Sequence, residues 1–96
     1  MRRAAKVDGN QTAIVTALEK TGATVQTLGA VGNGCPDLLV GRLGINVLLE
    51  IKNPEGRNRV GEEQEKWMER WRGQVAIVRD EYEAMEVVLK LTQKGI

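Results

Sequence analysis

Apolar residues recur along this chain with two periods, and the switches between them mark its elements. Ile14, Val15 and Leu18 form a helical stripe over residues 9–20, which Gly22 closes. Thr24-Val25-Gln26-Thr27 gives residues 23–28 the character of a short strand. Two apolar runs follow, 38–40 and 45–51, joined by the turn-like Gly41-Arg42-Leu43-Gly44, and they read as a β-hairpin. Gln64, Trp67, Met68 and Trp71 fall at i, i+3, i+4 and i+7, which places a helix over residues 62–72. Its opening acids suit the positive end of the helix dipole, and Gly73 ends it. Residues 74–78 form another buried strand, and Met85, Val88, Leu89 and Leu91 carry a last helix over 81–92. The pattern predicts a layered α/β domain over residues 1–96, in the order helix, three strands, helix, strand, helix.

The hairpin breaks its own apolar pattern with charge. With the turn centred between Leu43 and Gly44, residues whose numbers sum to 87 face each other, so Asp37 lies opposite Glu50. Such neighbours have Cβ atoms about 5 Å apart. Glu50 and Lys52 share one face, and Leu49 and Ile51 take the other. A salt bridge from Lys52 on a solvated edge would account for the grouping, at about 0–1 kcal/mol. Yet the second strand is apolar on both faces apart from Asn46, Glu50 and Lys52, as in a strand covered from both sides. Two carboxylates crowded there lose hydration and repel, which drives one towards its neutral form. A hard divalent ion such as Mg²⁺ removes that penalty, because it takes one or two carboxylates and completes its shell with water and phosphate. The spacing alone fits either reading.

Pro36-Asp37, followed thirteen residues later by Glu50-Ile51-Lys52, resembles the PD-(D/E)XK nuclease signature. The surrounding segments G-C-P-D-L-L-V-G, L-L-E-I-K-N, Q-E-K-W and W-R-G-Q-V-A-I-V-R resemble the VRR-NUC family, the virus-type replication-repair nuclease domain, in the short stand-alone form that phages carry. The resemblance implies a restriction-endonuclease-like core, a mixed four-stranded sheet flanked by helices in the order αβββαβα. It implies Mg²⁺ or Mn²⁺ held by Asp37, Glu50 and the Ile51 carbonyl, with Lys52 orienting a water and Gln64 lining the site. An acid on the first helix reaches the metal in that family, and Asp8 occupies the place here; N-capping that helix is its other reading. The family commonly has Leu-Thr or Leu-Ser ahead of the second helix, where this chain has Val60-Gly61, a weaker cap by about a few tenths of a kcal/mol. The implied activity is endonucleolytic cleavage of DNA, branched or junction DNA in particular, by a homodimer in the cytoplasm of a bacterial or phage-infected cell. The rival reading is a catalytically silent DNA-binding or scaffolding subunit.

Composition narrows the field further. The single cysteine and absent histidine exclude a disulfide framework, ordinary zinc sites and histidine-assisted nucleophiles. A net charge of +1 shows no strong basic excess, so any DNA footprint must be local. Arg3 and Lys6 in the basic lead-in, and Arg57 and Arg59 in the turn-rich loop after Lys52, are the candidate phosphate contacts, and solvated termini and loops account for them equally. No apolar run approaches a membrane span and no signal-peptide core opens the chain, which leads us to expect an intracellular protein.

Gly29, Gly32 and Gly34 punctuate a loop without the Lys-Ser/Thr ending of a phosphate-binding loop, and a strand follows it, so a dinucleotide fingerprint fails too. A mobile loop beside the site, open to a polymer backbone, is the expectation. Cys35 reads as a small filler rather than a redox centre. Trp67 and Trp71 fit a core stripe, which weighs against an interaction module built on them. Three aromatic residues leave little for base stacking.

Overall fold

The computed structural model describes residues 9–52 and 61–93. Its elements are α1 (Gly9–Lys20), β1 (Thr24–Thr27), β2 (Leu38–Arg42), β3 (Ile45–Ile51), α2 (Glu62–Arg70), β4 (Val75–Val78) and α3 (Glu81–Thr92). The strands form one mixed sheet in the order β1-β2-β3-β4. The first three run as an antiparallel meander, and β4 joins parallel to β3 after the α2 crossover. The expected α/β order is what the chain adopts.

The hairpin register follows the sum of 87 throughout, from Leu38 opposite Leu49 to Arg42 opposite Ile45. The turn is tighter than expected. β2 continues through Arg42, so only Leu43 and Gly44 form the loop, at φ 51° and 81°. Two positive φ values in a two-residue loop define the turn that matches the twist of paired strands.

Strand alternation sorts the sheet residues onto two faces. Leu38, Val40, Val47, Leu49 and Val78 face α1 and α3, where they pack with Ile14, Leu18, Ala84 and Val88. Each of those aliphatic side chains is essentially removed from water. Burial of one Val, Leu or Ile contributes roughly 1.5–3 kcal/mol. Leu39, Leu48, Glu50 and Ile77 point the other way, Glu50 and Ile77 towards α2 and Leu39 and Leu48 into a groove beside Trp71. At the hairpin end of the sheet, the Arg42 guanidinium donates to the Thr21 carbonyl at 3.0 Å and to Thr92 Oγ1 at 2.6 Å, tying together the last turns of α1 and α3. Thr92 is buried because its hydroxyl also donates to the Val88 carbonyl, at 2.8 Å.

The structure also corrects the expectations for two of the helices. In α3 the buried residues are Ala84, Val88 and Thr92, so the stripe runs at i, i+4 and i+8 and leaves Leu89 outside the core cluster. Asp80 fixes this helix start by accepting from the Glu83 N–H at 2.8 Å. The second correction concerns α2, none of whose residues is buried. It ends at Arg70 rather than 72, because Trp71 turns extended (φ −72°, ψ 131°) and stacks on Trp67 with ring centroids 4.7 Å apart. A Cβ at Gly73 would lie 2.9 Å from the Trp71 indole nitrogen, so the indole lies over that glycine. Trp71 is therefore 41% exposed and Trp67 and Met68 half-buried, not the core stripe their spacing suggested.

Candidate active site

Asp37 precedes β2, and Glu50 stands near the end of β3, so the hairpin alone brings them together. The residues before Asp37 anchor it. Pro36 is fully buried, and the Asp37 carbonyl accepts from the Leu28 N–H at 2.8 Å, which extends the meander one step beyond β1. The Asp37 carboxylate crosses to the neighbouring strand, where Oδ2 accepts from the Ile51 N–H at 2.7 Å. That bond points the acid at the backbone between Glu50 and Lys52.

Glu50 is 5% exposed, an uncommon place for a carboxylate. One oxygen, Oε2, accepts from Gln64 Nε2 at 2.7 Å. The other, Oε1, is buried and has no hydrogen-bond donor. Burial, first, and then the Asp37 charge push the Glu50 pKa up from 4.5 to about 7. Asp37 also raises it by accepting the Glu50 proton when one is present, while the Gln64 donor works in the opposite direction. The Glu50 carboxylate thus lies beside a second acid, and its Oε1 has no hydrogen-bond partner among the described residues. A proton on Glu50 satisfies this arrangement below about pH 7, and above it the two charges repel, a penalty that a bound cation would relieve.

Gln64 reaches Glu50 from α2, and its own orientation is determined. Its Oε1 accepts from the Gly61 N–H at 3.1 Å, so its amide nitrogen must face Glu50. Gly61 is the N-cap and has no side chain to close the helix, so Gln64 supplies the returning half of a capping pair while also binding the acid. Its place three residues into the helix was the sequence signal for the cap, and the bond to Glu50 is the part the sequence left out.

Lys52 follows β3, its N–H donating to the Val78 carbonyl at 2.9 Å. Its side chain is half-buried, and among the described residues it forms no ion pair, which removes the salt-bridge reading of the Asp37–Glu50–Lys52 group. Asn10 on the first turn of α1 donates to the Arg79 carbonyl just past β4, at 2.9 Å. The described part of α1 therefore begins at the same end of the sheet as Glu50 and Lys52. Asp8, Arg3, Lys6, Arg57 and Arg59 lie outside the described residues.

The Gly29–Gly34 segment follows a defined path of turns, with Val31 N–H bonded to the Leu28 carbonyl and Cys35 N–H to the Gly32 carbonyl. Gly32, Asn33 and Gly34 all have positive φ. Between this loop and the start of α2 lies an open cleft of about 360 Å³, with Asp37 and Gln64 on its wall. The Cys35 thiol borders the same cleft and is held protonated by burial, then by the charges of Asp37 and Glu50. A neutral thiol is a poor nucleophile, consistent with a filler role. A wider groove of about 560 Å³ lies under Trp71, between Leu39, Ile45 and Leu48, but no ionisable residue lines it. The smaller cleft is the one that borders the Asp37–Glu50 pair, through Asp37 and Gln64.

The oxygen set at that cleft fits a hard divalent ion. Among the described residues Glu50 Oε1 lacks a partner, the Asp37 carboxylate lies beside Glu50, and the Ile51 backbone is bonded to Asp37. Among the described residues no three His, Cys, Asp or Glu side chains gather as a metal cluster, so the protein's share would be two carboxylates and a carbonyl, with water and substrate oxygens completing the shell. Among the described residues no helix is long and apolar enough to cross a membrane. No protein-family model, curated protein or solved structure matches the chain.

Proposed function

We propose that this chain is a metal-dependent endonuclease that hydrolyses phosphodiester bonds in DNA, with branched or junction DNA as its preferred substrate. The observation that carries the reading is the buried Glu50 carboxylate beside Asp37, whose Oε1 has no hydrogen-bond partner among the described residues, two residues before a half-buried lysine that forms no ion pair among them. Structural carboxylates are normally satisfied within the protein, whereas one oxygen of this one has no donor among the described residues and would take a proton or a cation. The resemblance of Pro36-Asp37 and Glu50-Ile51-Lys52 to the PD-(D/E)XK signature supplies the reaction class, and its fold-level analogy supplies the restriction-endonuclease-like core.

Asp37 and Glu50, with the Ile51 carbonyl, would hold Mg²⁺ or Mn²⁺, and Asp8 is the candidate for a further acid. When bound, such an ion polarises the phosphate and lowers the pKa of a water. Lys52 orients the attacking water and neutralises charge developing on the phosphate oxygens. Gln64 holds Glu50 Oε2, which leaves Oε1 directed at the ion. Arg3, Lys6, Arg57 and Arg59 would contact the phosphate backbone, which positions DNA without reading its sequence. Cutting two strands of a junction needs two sites, so the acting form is a homodimer.

The test is cleavage of labelled four-way junction, flap, single-stranded and plain duplex DNA with Mg²⁺ or Mn²⁺, using the wild type, Glu50→Gln and Lys52→Ala. The expected result is metal-dependent cutting, fastest on the junction, that falls at least about 10²-fold in each variant while the fold stays intact. Light scattering is expected to give twice the 10.6 kDa chain mass. Binding of junctions without cutting in either metal would replace this reading with a scaffolding subunit.

A further inference from the structure

Gly34 sits where a side chain cannot. A Cβ there would lie 2.6 Å from the Glu63 carbonyl oxygen and 3.2 Å from Trp67 Cβ, against backbone rather than a flexible side-chain end. A 2.6 Å contact with backbone essentially never occurs, so any residue larger than glycine at 34 forces the loop and the first turn of α2 apart. That turn holds Gln64, the residue next to Glu63 and the donor to Glu50. α2 has little else to hold it in place, since none of its residues is buried. The loop and helix also form the two walls of the 360 Å³ cleft beside Asp37.

We infer that Gly34 is a positioning residue: its bare Cα is the seat that sets the height of α2 above the sheet, and thereby holds the Gln64 amide on Glu50 and fixes the width of the cleft. The inference concerns the same site as the nuclease reading and rests on it for its effect on turnover. A shift of about 1 Å in a group that orients a reacting residue costs about 10²-fold in rate. Gly34 touches neither substrate nor ion, so its effect is transmitted through Gln64.

Gly32 provides the internal control. It lies in the same loop with nearly the same backbone conformation, φ +75° against +83°, but a Cβ there meets nothing within 4 Å. Gly32→Ala carries the backbone strain of a left-handed alanine without the collision, and Gly34→Ala carries both. The Gln64 side-chain amide resonance, assigned by its loss in Gln64→Glu, reports directly on the bond to Glu50.

In Gly34→Ala that resonance is expected to move to the position of a free glutamine amide, and in Gly32→Ala to stay. On junction DNA, kcat of Gly34→Ala is expected to fall about 10²-fold with KM unchanged. A resonance that stays put in Gly34→Ala, or moves as far in Gly32→Ala, overturns the inference. If the wild type cuts no DNA, the nuclease reading fails and the resonance still decides the seat. Hydrogen exchange of the wild type needs no variant. The Cys35 amide in the loop and the Glu65 amide in α2, bonded to the Gly32 and Gly61 carbonyls, are expected to open with the same free energy as one unit. Different opening energies would show that the loop does not seat the helix.

Discussion

The two faces of this sheet carry residues from the same strands and serve opposite ends. Beneath α1 and α3, Leu38, Val40, Val47, Leu49 and Val78 join one cluster of buried apolar residues, and almost no surface is left to water. On the opposite face, Leu39 and Ile77 remain partly exposed, and the most buried polar side chain of the strands is an acid with an unmet oxygen. Leu49 and Glu50 are adjacent in sequence, yet one stabilises the fold and the other loads it with desolvation cost. A thin, alternating strand thus lets a small protein keep its stability on one side and concentrate its unsatisfied chemistry on the other.

The sharpest way to break that comparison is to open the dry face. Leu49→Ala is expected to cost about 3–5 kcal/mol, because a fully buried leucine surrounded by packed side chains leaves a cavity that cannot collapse. Urea unfolding measures it, and a loss below about 1 kcal/mol would mean that this face is no firmer than the other.

Next in size is Glu50→Gln, expected to stabilise. The folded Glu50 keeps its proton up to about pH 7, whereas the unfolded group ionises near 4.5. Between those values the native state binds more protons than the unfolded one, so this acid lowers stability as pH rises through the window. The loss is on the order of 2 kcal/mol after discounting for solvent screening at the cleft. Unfolding at pH 4.5 and at pH 8 is expected to show that decline in the wild type and its removal in Glu50→Gln. Identical pH profiles for the two proteins would contradict a strained carboxyl.

The smallest effect belongs to Trp71→Ala. A 41% exposed indole outside the helix, stacked on Trp67, is expected to contribute about 1 kcal/mol or less, despite its size. A loss comparable with that of Leu49→Ala would restore the two tryptophans to the core.

What the sequence disclosed follows the range of the physics involved. Asp37 opposite Glu50 was legible because a turn centred between Leu43 and Gly44 leaves one register for the hairpin, and the structure keeps that register with a tighter loop. Gln64 was legible as an inward residue because helix spacing is equally local. The depth of α2 was not, since it depends on a contact between Gly34 and Glu63 that no periodicity records. Trp71 misled for a related reason: its i+7 spacing assumed a helix that the stacking of its own indole helps to end. The burial of Thr92 is likewise explained only by its bonds to Arg42 and the Val88 carbonyl.

The Leu43–Gly44 turn lies at the other end of the hairpin from Asp37, roughly 20 Å away for strands of this length. It nevertheless decides which residues the site contains. Pairing along two strands is a phase, and the turn is where that phase is set. One residue inserted beside Leu43 that shifted the pairing of β3 by a single step would turn Glu50 into the aliphatic layer and present Leu49 to Gln64, without altering any residue of the site itself. Leu43, an exposed leucine in a left-handed backbone, touches none of the chemistry and carries the information on which its geometry depends.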